Sequence, residues 1–528
     1  MLHRFFVLTF LFLTYASCLQ ATTFPKYQEI VETLIRTTKT CEVDFDSGTK
    51  LKIEKRADGY WVGISTWDFT LLSYTINQRQ LFWSATTQKY NTVAFNVAKA
   101  QPHTISKNNI LTPLSRNPEF DSYNMNPFFG YEGWYHHVIK WYSDLEKKRP
   151  LEDFELYSLA RAYSMYAQIL LANTNEVLDA VLADFLTGDK ASPKRIKFYN
   201  LIENKSVNYF HKTYLKNPNW KTIVGNIFIK YSNEVVTQYH TLALHTKHKD
   251  ALNVFKGKDL YTKELLTFAA NTLKSCPTNA ILWTTGDNTS LPMFYLQQVK
   301  GIRKDVLVTN AYQLSSWRYI NYVTNPKIHT NPILLDIAPA IYNKSNNDYI
   351  AIKDIASNLE LNDLKLALSS DKKDRFFSSK KITLPFQVKN KLSLDLKTNY
   401  LIKNEWISLF IFAQNQRPFC FTVDFKINNY SFVKHLNIKK HLYPVGLVYQ
   451  LAKKEHTITS DEEIETSYDI ITNQLKWFPI KTISEESRPT FYYQLGAITI
   501  LAMDLYNNDK NHQVVYLLDL CRKISPMD

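Results

Sequence analysis

The chain has 528 residues, of which 45% are apolar and 14% aromatic, a composition that excludes intrinsic disorder and provides for about three packed cores. Its glycine count is only 12, which weighs against Gly-rich phosphate loops and against barrels or sandwiches built on tight glycine turns. The formal charge of +14 comes largely from Lys scattered among polar residues, as at Lys372, Lys373, Lys380 and Lys381, and reads first as a solvated basic surface and second as attraction to anionic envelope polymers or lipid head groups.

Taken in chain order, Met1 to Arg4 form a short positively charged start, Phe5 to Tyr15 an almost unbroken apolar run, and small residues then lead to Cys18. This is the pattern of a signal peptide over 1–18, too short to cross a bilayer as a helix. Tyr15-Ala16-Ser17-Cys18 resembles a bacterial lipobox, which makes Cys18 the candidate for lipidation. That pattern prefers Leu where Tyr15 stands, so ordinary cleavage near Ala16 or Ala21 is the alternative. The expected location is therefore exported: periplasm, outer membrane or cell surface, with a lipid as the one membrane attachment. Export argues against a nucleic-acid partner. Later apolar runs, Trp406 to Ala413 and Leu495 to Leu505, are also too short to span and read as a core strand and a core helix. Cys41, Cys276, Cys420 and Cys521 are too dispersed for a CxxC metal site. They read mainly as buried small residues, with three pairings open for one long-range disulfide.

Residues 24–110 predict a small β-rich domain. Cys41 to Phe45 and Leu51 to Glu54 alternate apolar and polar about an Asp46-Ser47-Gly48 turn, and Ala57-Asp58-Gly59 leads into Tyr60 to Ile64. Leu81-Phe82-Trp83 and Val93-Ala94-Phe95 predict further strands, ahead of a connector rich in Asn, Pro and Ser. Residues 125–275 predict helices, with Leu156, Leu159, Ala160, Tyr163, Ala167 and Leu170 on one face, and two long helices at 193–216 and 219–246 parted by Asn217-Pro218-Asn219. Leu159-Ala160-x-x-Tyr163 and Val224-Gly225-x-x-Phe228 echo the spacing of tetratricopeptide helices. The 34-residue period is not clean, so they predict hairpins of that kind and not a regular array. Residues 276–455 alternate buried strands (280–285, 305–310, and Pro332 to Asp336 as a third) with helices (291–299, 316–323), the pattern of a parallel α/β sheet. A helix-like stretch, the Arg417-Pro418 break and a strand at Phe419-Cys420-Phe421-Thr422 follow. Residues 456–528 open on the capping box Ser460-Asp461-Glu462-Glu463 and end in a helical hairpin turning at Asn507-Asn508-Asp509. The fold class expected is multidomain α+β.

Asn279-Ala-Ile-Leu-Trp-Thr-Thr-Gly286-Asp287-Asn288-Thr-Ser-Leu-Pro292-Met-Phe-Tyr295, followed by Gly301-Ile302-Arg303-Lys304-Asp305-Val306, resembles the C-terminal extracytoplasmic part of a bacterial family of unknown function. Its large members are polytopic membrane proteins similar to protein O-mannosyltransferases. Trp317-Arg318-Tyr319-Ile320, Tyr400-Leu401-Ile402-Lys403-Asn404, Arg417-Pro418-Phe419 and Gly446-Leu447-Val448-Tyr449-Gln450-Leu451 continue the match in the same order, over about 265–528. Thr289 replaces the second Asp of the family's G-D-N-D, and Ser290 stands where the family has Thr. The family's membrane half is not seen, so the resemblance implies an accessory or recognition module and not a transferase.

Ligands of open α/β sheets sit at the carboxyl ends of the strands. That rule places Asp287, Asn288 and Asn310 on one rim, Asp336 beside them, with Trp317 as a stacking face for a sugar or peptide. The competing reading is that Asp287 and Asn288 cap the following helix. Arg303 and Asp305 read as a local turn pair. His240, His245 and His248 have no carboxylate or Cys at helical spacing to complete a ligand set, and adjacent His136 and His137 point to different faces, so neither metal nor cofactor is expected. No GxSxG, HExxH or P-loop pattern occurs, and no catalytic residue is assigned. The sequence therefore points first to a non-catalytic envelope protein binding a protein or glycan. An enzyme of envelope glycans or peptides with Asp287 as acid/base comes second, and a structural scaffold third.

Overall fold

The computed structural model describes residues 49–68, 73–93, 134–172, 193–222, 224–246 and 248–524 without 343–346, 371–375, 388, 429, 457–459 and 484–487, together with Phe128–Phe129 and scattered positions in 24–37. The signal segment, Cys18, Cys41 and the Asp46-Ser47-Gly48 turn lie outside these residues. The protein is multidomain α+β and divides into two compact units, Met1–Ile223 and Val224–Asp528.

In the first unit, β1 (Thr49–Arg56), β2 (Gly59–Asp68) and β3 (Ser73–Ser84) form an antiparallel meander, and β4 (Lys89–Tyr90) and β5 (Phe128–Phe129) complete a sheet of order β4-β3-β2-β1-β5. The strands form where apolar residues alternate: Ile53, Tyr60, Val62 and Phe82 are almost wholly buried. Val93 follows the ladder without pairing, and the rest of the strand expected at Val93-Ala94-Phe95 lies outside the described residues. Helices α1 (Trp134–Glu146), α2 (Asp153–Ala172) and α3 (Pro193–Lys216) follow. Ala160, Ala162 and Ala167 are fully buried on α2, and small side chains there let α3 approach until Ser206 Oγ donates to the Ala160 carbonyl (3.1 Å). Tyr163 stacks on Tyr209 at 5.7 Å between ring centres.

The second unit opens with α4 (Ile227–His245), eight residues later than the expected 219 because the Asn226 side chain accepts from the Ile229 amide (3.0 Å) and sets the helix start. Then come α5 (Lys263–Ser275), β6 (Ile281–Thr284), α6 (Asp287–Lys300), β7 (Leu307–Asn310), α7 (Trp317–Val323), α8 (Lys403–Gln414), β8 (Phe419–Thr422), α9 (Val423–Ile427), β9 (Leu442–Val445), β10 (Val448–Leu451), α10 (Arg488–Asn507) and α11 (Asn511–Ile524). The central sheet has the order β9-β10-β8-β6-β7; β8, β6 and β7 run parallel and the β9–β10 hairpin joins antiparallel. Every residue of β6, β7 and β8 is buried, as strands covered on both faces require. Trp283 sits at the centre of this core against Phe412, Phe419 and Phe421.

Two expectations are corrected. Pro332 to Asp336 is not a strand. The Asn415 side chain holds both backbone groups of Leu334 at 2.9 Å, and the position beside β6 is filled by β8. Trp406 to Ala413 lies in helix α8, the helix-like stretch expected before the Arg417-Pro418 break and not a core strand; all its faces are buried, so no period shows in the sequence. The Ser460–Glu463 capping box and the α10–α11 hairpin are as expected. Cys276 and Cys420 are buried free thiols lying against each other, and Cys521 is a half-buried free thiol. Among the described residues no helix is long and apolar enough to cross a membrane.

Gly446 turns the β9–β10 hairpin at φ 59°, and a Cβ there would stand 2.6 Å from Ile470 Cγ2 and 2.8 Å from Ser275 Oγ. Gly257 has φ 69° with nothing within 4 Å of such a Cβ. Gly446→Ala should therefore cost about 3 kcal/mol, and Gly257→Ala only about 1–2 kcal/mol from the left-handed backbone alone. Urea unfolding of both variants beside wild type checks the difference.

Candidate functional site

The two ends of the parallel strands have opposite chemistry. At the amino end, Arg303 forms a two-pronged pair with Asp305 (2.9 Å at each contact) and donates to the carbonyls of Leu273, Cys276 and Pro277, tying the end of α5 to the approach to β7. Asp305 accepts from the Asn279 amide, and the pairing with Arg303 holds its carboxyl down to about 2. Arg417 donates to the carbonyls of Asn279, Ala280, Asp305 and Asn331; burial pulls its pKa down to about 10. The G-x-R-x-D-V and Arg-Pro residues thus hold the sheet together.

The carboxyl end carries the expected site residues. Gly286, and neither Asp287 nor Asn288, is the N-cap of α6. Thr289 Oγ1 donates to the Gly286 carbonyl (2.9 Å) and accepts from its amide (3.1 Å). The departure from G-D-N-D therefore keeps a side-chain oxygen at the third helical position, where a capping box needs one. Asn288 straps α6 to α4: its Oδ1 accepts from Asn233 (3.0 Å) and its Nδ2 donates to the Val224 carbonyl (2.5 Å). Asn310 is 3% exposed. Its Nδ2 donates to Ser290 Oγ (3.1 Å), and its Oδ1 accepts from the amides of Tyr312 and Gln313.

Asp287 differs from both. Its side chain is exposed, yet desolvation raises its carboxyl pKa, with Lys230 opposing and Glu234 adding to the rise. The Lys230–Glu234 ion pair (2.8 Å) stands beside it. Trp317 opens α7, half-exposed, with the Arg318 guanidinium 5.6 Å from its ring. Asp336 is elsewhere, its side chain 95% exposed and its backbone held by Gln414.

Sequence reasoning missed Asp424, which leaves β8 as Asp287 leaves β6. It is 2% exposed, and its Oδ2 accepts from the Thr285 hydroxyl, joining the two strand ends. Burial raises its carboxyl pKa, partly opposed by Thr285 and Thr422. Around it stand Tyr430 and Tyr312, 6.3 Å between ring centres, the latter exposed at its surface and pushed up to about 12 mainly by burial. Asn428 donates to the hydroxyls of Tyr430 and Tyr493. The signal available in the sequence was the same one used for Asp287, a carboxylate just beyond a buried strand.

The fold and its rim define an α/β module with a polar and aromatic carboxyl edge. Residues 266–386 match the family model described as TMEM260-associated domain 2, a stretch containing Asp287, Asn288, Asn310 and the Arg303–Asp305 pair but ending before Asp424. The match falls inside the 265–528 stretch of the resemblance and is consistent with a family of unknown function, one tied to TMEM260-like proteins. No curated protein and no solved structure matches the chain.

A carboxyl whose folded pKa is raised stabilises the fold below its unfolded value of about 4, and that contribution is lost as pH rises through the folded value. Asp424→Asn should therefore raise Tm at pH 8 by roughly 2–4 °C, the change that about 1 kcal/mol produces. The gain should vanish near pH 3, as differential scanning calorimetry at the two pH values would show.

Proposed function

We propose that this chain is an exported envelope protein whose second unit is a non-catalytic recognition module for a protein or glycan partner. The observation that carries this reading is the division of labour at the carboxyl rim. Asn288 and Asn310 are committed to internal hydrogen bonds, while Asp287 and the Tyr312 face remain accessible. A rigid polar frame presenting one carboxylate and one aromatic face suits binding by shape and hydrogen bonding. In this reading the resemblance to protein O-mannosyltransferase-like proteins extends to an extracytoplasmic accessory part, without inherited transferase activity. The tetratricopeptide-like spacing within 125–275 adds a second protein-binding surface. The signal peptide over 1–18 delivers the chain to the envelope, with Cys18 as the lipid anchor point.

One observation favours the enzymatic alternative: an accessible carboxyl with a raised pKa, as at Asp287, is the property of a general acid. Affinity capture of the tagged protein from mildly cross-linked envelope separates the readings. Tyr312→Ala and Asp287→Ala should each reduce recovery of a partner about tenfold while leaving the Tm unchanged. Turnover of an envelope glycan or peptide that disappears in Asp287→Ala, with capture intact, would establish the enzyme instead. Intact mass of the mature protein gives the N-terminus. A diacylglycerol adduct on Cys18 is expected, and an unmodified start near Ala16 or Ala21 would remove the anchor.

A further inference from the structure

Lys263, Thr267, Ala270 and Lys274 fall within about 60° of one another around α5, so they share one face of that helix. Beside this face, where the last turns of α6 run past it, lies a cleft of about 430 Å³, within the roughly 300–1,000 Å³ of specific ligand sites. Leu266 and Ala270 of α5, Tyr295 and Leu296 of α6, and Ile302 give it a mainly apolar lining. Four lysines stand around it, Lys263 and Lys274 on α5, Lys300 at the end of α6, and Lys476, against one carboxylate, Asp259. Among the described residues none of the four makes an ion pair, and Lys263 faces the Phe478 ring at 5.9 Å. Helix dipoles account for Lys274 and Lys300, which lie in last turns. Lys263 instead opens α5, where a cation is unfavourable, and Lys476 lies in no helix.

The polar groups of the lining are engaged within the fold. The Asn271 side chain donates to the Lys476 carbonyl (2.7 Å) and accepts from its amide (3.2 Å), which fixes that segment against α5. The Thr267 hydroxyl donates to the Lys263 carbonyl (2.9 Å), the Tyr261 hydroxyl to Asn233 (2.9 Å), and the Tyr295 hydroxyl meets the Leu260 backbone. A ligand is left with apolar surface and positive charge, and a sugar ring would find few partners for its hydroxyls. Lys263 and Lys274 stand about 16 Å apart along the helix axis. A single phosphate or carboxylate cannot meet both, whereas an extended peptide of about five residues spans that distance. We propose that this cleft is a docking site for an acidic peptide segment, with an apolar side chain seated between α5 and α6 and carboxylates on either side paired with the lysines. The proposal rests on the recognition reading above for the class of partner, a protein, and adds a surface that neither Asp287 nor Tyr312 lines.

The test titrates the full chain calorimetrically with acetyl-Glu-Glu-Phe-Glu-Glu-amide at low and at high salt. Saturable binding that weakens at high salt is expected. Lys274→Gln/Lys300→Gln should weaken it about tenfold, since each exposed pair contributes a factor of a few, and Leu266→Gln should weaken it by removing apolar contact. All three positions are exposed or half-exposed, so the variants should keep the wild-type Tm, a check that separates lost binding from a lost fold. Acetyl-Gln-Gln-Phe-Gln-Gln-amide and acetyl-Glu-Glu-Gly-Glu-Glu-amide should each bind about fivefold more weakly or worse. Equal affinity for the glycine peptide would reduce the cleft to diffuse attraction of anions and overturn the proposal. So would an unchanged affinity in the double variant, binding of glucuronate or of phosphatidylglycerol vesicles with no response to the peptide, or no binding by any probe, which leaves a solvated basic face. If the peptide fails while a partner is still captured from envelope, the cleft falls and the recognition reading stands. Peptide binding with no partner captured keeps the cleft and removes that reading.

Discussion

Two guanidinium groups at the amino edge of the parallel strands carry the architecture of the second unit. Three strand starts converge there, and backbone carbonyls from them and from the neighbouring Asn331 segment crowd one edge of the sheet. Arg417 gathers four of these carbonyls from three separate segments, and Arg303 gathers those at the end of α5. Planar donors with fixed angles suit this task better than a flexible ammonium would, because several acceptors must be met at once. Asp305 completes the arrangement by neutralising Arg303, and its proton affinity is correspondingly low.

With the amino edge secured, the carboxyl edge can hold chemistry that works against stability. Asp424 keeps a carboxyl out of water with one oxygen unpartnered, and Gln494 does the same with an amide oxygen. Groups of this kind oppose stability, and the amino-edge network offsets that cost. Asn288 and Asn310 show the opposite case on the same rim, polar side chains whose hydrogen-bonding capacity is used by the fold.

Much of the architecture was legible in the sequence. The strands at β1, β2, β6, β7 and β8, helix α3 to the residue, the Ser460 capping box and the terminal hairpin all follow from period, breakers and caps. The errors share a cause. Helix α8 is buried on every face and Pro332 to Asp336 is extended without a ladder, so the local pattern in each case described burial and backbone shape but not pairing. The site was less legible than the fold. Asp287, Asn288 and Asn310 were singled out because they end strands. Asp424 was missed although it obeys the same rule, since which strand stands beside β6 is a fact of topology and not of spacing. Trp317 was chosen for its ring alone, which stands half-exposed at the start of α7.

The contact of the Cys276 and Cys420 thiols offers a built-in clock. Cys420 is wholly sealed on β8, hydrogen-bonded by its strand to β6 on one side and β10 on the other. A small alkylating reagent can reach that sulfur only during excursions in which the strands part, so its labelling half-time counts how often the centre of the sheet opens. Cys521, half-exposed on α11, reports on the surface in the same reaction. One chain thus holds a slow and a fast probe, and their ratio separates breathing of the core from fraying of the terminal helices.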